Sequence, residues 1–173
     1  MRTARWSVGF ALMVVATFTA SPATLRAQQT ASLNNAHFFG YGGGGGALSS
    51  GSVAIAQFGI GGETREFGKA VSFTGEGGFV TSLGSGASGT SILAAGLVFS
   101  KVPNDRADRF FFTGGAIFFP EVGSTGGYLG LGLKTWASDR FGVRFEIRDQ
   151  IVSDIHLLIF RIGVMVPIGD SAR

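Results

Sequence analysis

The sequence predicts an all-β fold, an eight-stranded antiparallel up-and-down transmembrane β-barrel. Three observations carry this. Glycine and phenylalanine are abundant, with 29 Gly and 17 Phe in 173 residues. Strand-sized runs of two-residue period recur, each followed by a cluster of turn residues. Charged residues fall mostly in the connections rather than inside those runs.

The first segment, Met1 to Ala27, reads as an export signal. Arg2 and Arg5 form a basic start, Val8 to Ala20 is an uncharged apolar run, and Ser21-Pro22 leads to a small-residue exit at Ala27. The apolar run is shorter than the ~20 residues of a spanning helix. Residues 28–173 are then the barrel domain. The full chain has 14 basic and 11 acidic residues. Arg2, Arg5 and Arg26 leave with the signal, so 11 of each remain and the net charge is zero. Nucleic-acid binding, which wants a clustered basic surface, is not expected. Without cysteine there is no disulfide framework and no thiol chemistry.

Eight runs are expected, at 37–45, 53–62, 69–80, 91–101, 109–119, 127–136, 140–149 and 155–168. Most approach the ~9–11 residues that a tilted strand needs to cross a bilayer. The first, second and fifth are glycine-rich, and their phase is not fixed by the sequence. In the third, Val71, Phe73 and Phe79 oppose Ser72, Thr74, Glu76 and Gly78. In the fourth, Leu93, Leu97 and Phe99 oppose Gly96 and Ser100, while Ile92 and Val98 break the pattern. In the sixth, Leu129, Leu131 and Leu133 oppose Gly130, Gly132 and Lys134. The seventh alternates most plainly, with Phe141, Val143, Phe145 and Ile147 against Gly142, Arg144, Glu146 and Arg148. In the eighth, Leu158, Phe160, Ile162, Val164 and Val166 oppose Arg161, Gly163 and Met165.

A soluble antiparallel sheet also alternates. Here, however, the non-apolar face is mostly Gly and Ser with a few charges. That composition suits a narrow barrel filled by small side chains and paired charges, with its outside against lipid. With both termini periplasmic, the turns 63–67, 102–108 and 137–139 lie on the periplasmic side. The loops 47–52, 81–90, 120–126 and 150–154 then face outward. Phe38, Phe39, Phe73, Phe99, Phe110, Phe111, Trp136 and Phe141 are expected as an aromatic girdle at the periplasmic rim. Phe79, Phe118, Phe119 and Tyr128 are expected at the outer rim.

The stretch from Trp136 to Asp149 places a short Ser138-Asp139-Arg140 turn before Phe141-Gly142-Val143-Arg144-Phe145-Glu146. It resembles the outer-membrane β-barrel domain family, the OmpA- and OmpX-like eight-stranded barrels. The alternating Gly130 and Gly132 before the turn fit the same pattern. Arg161, Gly163, Val166 and Ile168 are similar to the terminal-strand signal read by the barrel assembly machinery. The resemblance implies a location in the outer membrane of a Gram-negative-type bacterium. Its lipid and the assembly machinery would be the partners, with the oligomeric state left open. The chain departs from the pattern after Ile168, running on to Arg173 rather than ending on an aromatic.

Hidden chemistry finds little footing. Gly42 to Gly46 lacks the Lys-Ser/Thr ending of a phosphate loop. His37 and His156 start neighbouring strands of opposite direction, ~25 Å apart across the apolar band, so no metal is expected, nor any cofactor. Ser153, Asp154 and His156 cluster near the outer rim, but sequence neighbours rarely have triad geometry. The remaining constellation is a lumen charge network of Glu76, Lys134, Arg144, Glu146, Arg148 and Arg161. Arg144 is expected to bond Glu146 or Glu76, and Arg148, nearest the outer rim, to reach water, Asp149 or Asp154. The expected function is non-enzymatic, with a structural or envelope-interaction role. The alternatives are a narrow pore, a lipid-modifying outer-membrane enzyme, and a secreted soluble barrel binding an apolar ligand.

Overall fold

The computed structural model describes residues 36–48, 53–67, 70–84, 88–101, 108–138 and 140–168. The expected export signal and the Pro103-Asn104-Asp105 turn lie outside the described residues. Eight strands follow in order: β1 (His37–Leu48), β2 (Val53–Glu63), β3 (Val71–Ser82), β4 (Gly89–Lys101), β5 (Asp108–Phe119), β6 (Ser124–Trp136), β7 (Gly142–Val152) and β8 (Ile155–Pro167). Each strand pairs antiparallel with the next, and β1 pairs with β8, so the sheet closes into a barrel. Closure leaves no row of unpaired backbone groups, which in hydrocarbon would cost several kcal/mol per group.

The closing seam depends on glycine. Gly43 and Gly45 lie opposite Arg161 and Ile159 in the β1–β8 register. A Cβ on Gly43 would stand 2.2 Å from the Phe160 carbonyl oxygen, and one on Gly45 would stand 1.9 Å from that of Leu158. Both contacts are with backbone, which cannot move aside without opening the seam. At the other end of β8 the turn to β7 is two residues long. Ser153 and Asp154 both take positive φ, 47° and 66°, the backbone of a tight hairpin turn that follows the strands' own twist. The β5–β6 connection uses Gly123 at φ 63°.

The apolar sides of the strands point outward. Phe38, Phe58, Ile60, Phe73, Phe110, Leu131, Phe160 and Val164 are all exposed, Ile60 to 73%. Such a continuous apolar exterior around a charged interior fits lipid rather than water outside. The soluble-barrel alternative expected the alternating apolar faces inward, and they point outward.

The inside is richer than the expected Gly and Ser with a few charges. Toward the loop end, Ile55, Val80, Ile92, Ile117, Phe119, Tyr128 and Ile159 pack as a buried apolar cluster. Ile92 and Val98, which interrupt the alternation of β4, are inward-facing, at 1% and 0% exposure. Toward the end carrying the termini, Phe39, Tyr41, Trp136 and Met165 form a second cluster. Phe39, Phe111 and Trp136 therefore fill the lumen instead of standing in the periplasmic girdle. Phe119 and Tyr128 likewise leave the outer one. Sequence alone could not sort these rings, because Phe is equally suited to lipid and to a packed lumen.

Candidate functional site

Between the two apolar clusters lies a layer of buried charge. It exists because β3, β7 and β8 alternate strictly, so a charge on the polar phase must face inward. Glu146 sits opposite Arg161 and Arg144 opposite Lys134 in the strand register. Glu76, Lys134, Arg144, Glu146, Arg148 and Arg161 are all buried.

The centre of the network is Glu76. Arg148 donates to it through both terminal nitrogens, Nη1 to Oε2 at 2.9 Å and Nη2 to Oε1 at 2.7 Å. Arg161 Nη2 also donates to Oε2, at 2.9 Å. Arg148 Nε donates to Glu146 Oε1 at 2.6 Å, and Arg144 Nη2 lies 3.2 Å from Glu146 Oε2. Aromatic faces complete the packing. The Arg161 guanidinium lies 3.6 Å from the Tyr41 ring centroid and Arg148 lies 4.1 Å from that of Tyr128. Fork-shaped guanidinium pairs and stacked rings are the arrangement that makes a buried cation tolerable.

Two sequence expectations, for Arg148 and Glu63, need correction. Arg148 does not reach the outer rim, water, Asp149 or Asp154. It is fully buried at 0% exposure and bridges two carboxylates. Arg144 pairs with Glu146, one of its two expected partners, and takes Glu63 rather than Glu76 as the other. Glu63, assigned to a periplasmic turn, is the last residue of β2 and is 3% exposed. It accepts from Ser72 Oγ at 2.6 Å and from Arg144 Nη1 at 3.1 Å, and it also takes Lys134. His37 Nε2 stands 3.5 Å away on the same carboxylate. Its signal was present in the sequence as parity, since Gln57 and Glu63 share one face of β2. The glycines at 59, 61 and 62 hid that phase.

Among the described residues, the lumen network holds four cations, Lys134, Arg144, Arg148 and Arg161, against three carboxylates, Glu63, Glu76 and Glu146. A separate pair, Arg109 with Glu66, closes the rim beside the termini. At the loop end, His156 does not meet Ser153 or Asp154, which form the turn. Its Nδ1 lies 2.8 Å from Asp149 Oδ2, on the outward side of the wall. The loop between β5 and β6 is tied to β4 through Glu121, which accepts from Thr90 Oγ1 at 2.7 Å, from the Ser91 amide at 2.9 Å and from the Ser91 hydroxyl. Among the described residues no group of three His, Cys, Asp or Glu side chains could hold a metal ion. Of the terminal-strand residues, Arg161 and Gly163 face the lumen while Val166 faces outward; Ile168 follows the strand and donates its amide to Ala36.

An all-antiparallel eight-stranded closed barrel defines a fold class, and solved structures share it. Neisserial surface protein A is similar with a TM-score of 0.65 at 12% identity, over 77% of this chain and 97% of that one. The N-terminal β-barrel domain of Pseudomonas aeruginosa OprF gives 0.56 at 11%, over 77% and 96%. Ail, the attachment invasion locus protein of Yersinia pestis, solved with the heparin analogue sucrose octasulfate, gives 0.53 at 14%, over 76% and 96%. No family model matches the sequence, and no curated protein does. The chain has the fold of the OmpA- and OmpX-like barrels.

Proposed function

We propose that the chain is a non-enzymatic outer-membrane barrel, closed to solutes, with a structural or envelope-interaction role. The observation that carries this is the double closure of the lumen. A path through the barrel would have to part the Arg148–Glu76–Arg161 bonds and then the apolar cluster around Ile92, Ile117 and Ile159. An eight-stranded barrel is just wide enough for side chains to fill. Single-channel recording in planar bilayers should show no unitary steps, and reproducible steps would favour the narrow pore. Against the lipid-modifying reading, His156 Nε2 meets no hydroxyl among the described residues.

Export and assembly belong to the same proposal. Residues 1–27 are removed on export, and the terminal strand with Arg161, Gly163, Val166 and Ile168 is read by the assembly machinery. Deleting Gly163 onward should abolish membrane levels, because β1 would lose the partner that closes it. Envelope fractionation should place the intact protein with outer-membrane lipid. A heparin-like ligand, such as the analogue bound to Ail, is not expected here. The loop segments 47–54, 81–91, 118–126 and 149–157 contain no Lys or Arg.

A further inference from the structure

The outside of the barrel is not evenly covered. On its lipid-facing side β1 presents Gly40, Gly42, Gly44 and Gly46 between Phe38 and Leu48. Two hollows adjoin this line, one reaching toward β2 and β3 and the other toward β8 and β7. One of about 530 Å³ is bounded by Phe38, Gly40, Ile60 and Val164. The other, of about 330 Å³, has Gly44 and Gly46 as its floor and Leu48, Leu158 and Phe160 as its walls. Between them, a Cβ on Gly42 would meet nothing within 4 Å.

The barrel itself does not require these glycines. A Cβ would stand 4.0 Å from the nearest atom at Gly40, 3.5 Å at Gly44 and 3.6 Å at Gly46, all ordinary contacts. The inward glycines differ, since Gly43 and Gly45 are compelled by backbone at 2.2 and 1.9 Å. The outer groove is thus a shape that the fold permits and does not impose. In a membrane a groove is filled, because an empty one forfeits dispersion contacts on every lining atom. From Gly40 to Gly46 is roughly 20 Å along the strand at ~3.3 Å per residue. With the usual barrel tilt, that descends ~15 Å, the depth of one leaflet of a ~30 Å hydrocarbon core.

A polar pair stands at the loop end of the groove. In the strand registers His156 lies opposite Leu48, and Asp149 lies opposite Leu158. Asp149 Oδ2 takes His156 Nδ1 at 2.8 Å and so fixes the ring. His156 is exposed, and its Nε2 has no partner among the described residues. It is the single basic side chain in the loop segments and the strand ends beside them. The carboxylate at Nδ1 turns Nε2 outward, where the protonated ring donates a charge-assisted bond to an anionic oxygen.

We propose that the β1 groove is a lipid site, holding one acyl chain of a membrane lipid whose exposed phosphate is bonded by His156. The proposal rests on the barrel spanning a membrane and names its lipid partner. A second copy of the chain is a poorer occupant. Two-fold docking would set one hollow against the same hollow and leave both unfilled.

The test uses the folded exported form, residues 28–173, which lacks Trp6, with Phe160→Trp as reporter, inserted in phosphatidylcholine vesicles. Acyl-brominated phosphatidic acid, whose phosphate is uncapped, is compared with acyl-brominated phosphatidylcholine as quencher. Trp136 is buried in the lumen and gives a constant background. Phosphatidic acid should quench at about tenfold lower mole fraction, the effect of one charge-assisted hydrogen bond. His156→Gln should remove the preference. Gly44→Leu, which fills the hollow, should return both quenchers to the same dependence. Equal quenching in the parent, or a preference that survives His156→Gln, overturns the site. A reporter shielded from both lipids as protein density rises assigns the groove to a second copy and also overturns it. Failure of the parent to insert, read as unchanged gel mobility before and after boiling, counts instead against the spanning barrel.

Discussion

Replacing Glu76 with Gln probes the reasoning about the lumen most directly. The amide has the carboxylate's shape, so packing is preserved and the change is electrostatic. In the native barrel Glu76 accepts three hydrogen bonds from two guanidinium groups, all at 2.7–2.9 Å. Gln keeps one acceptor oxygen and points an NH2 at an N–H donor. The lumen would then hold four cations against two carboxylates. Breaking a buried pair by removing one partner costs about 3–5 kcal/mol, since the other charge is left uncompensated. A place near the outer rim, as read from the sequence, would make Arg148→Gln the milder change. With Arg148 fully buried and donating three hydrogen bonds, the two substitutions should cost similar amounts. The double variant removes one charge of each sign and restores the native excess of a single cation. It should fall short of the summed costs by about 0.5–3 kcal/mol, the range for residues in one network. Urea unfolding of the vesicle-inserted protein, read by gel mobility without boiling, measures all three. An unchanged midpoint for Glu76→Gln, or additive costs in the double variant, would refute the lock.

Three further outcomes are expected. Gly45→Ala should block closure of the β1–β8 seam, while Gly42→Ala should fold normally, because only the first Cβ meets backbone; equal yields of the heat-modifiable band would contradict the seam argument. In the β5–β6 loop, hydrogen bonds from Ser91 and then Thr90 hold the Glu121 carboxyl down to about 2, from an ordinary value of 4.5. A depressed value means the tie to β4 is at full strength above pH 4.5 and is lost as pH falls through about 2. A carboxyl titration of Glu121 by NMR with a midpoint near 4.5 would show the tie absent. Mass spectrometry of the envelope form should find an N-terminus within a few residues of Gln28, and an intact Met1 would defeat the export reading.

The alternation in β3, β6, β7 and β8 was enough to place the apolar faces and the inward charges, since neighbouring side chains on a strand must point to opposite sides. Eight such runs, with glycine and aromatic residues in place of a helical period, were enough for the barrel. Strand ends were less legible. Glu63 looks like a turn residue until β2 extends one position further and turns it into the lumen. The partners of the charges were not legible at all. Closing eight strands sets the height at which each residue meets those across the lumen, and that height depends on the stagger of every pair in the ring. So Arg148, near the rim by its place in the chain, lies at the centre of the network on Glu76, 72 residues away. The same holds for Phe39, Phe111 and Trp136, whose apolarity is indifferent to lipid or lumen until the phase of the strand is known. Sequence determined which residues alternate; only the closed ring decided which of them meet.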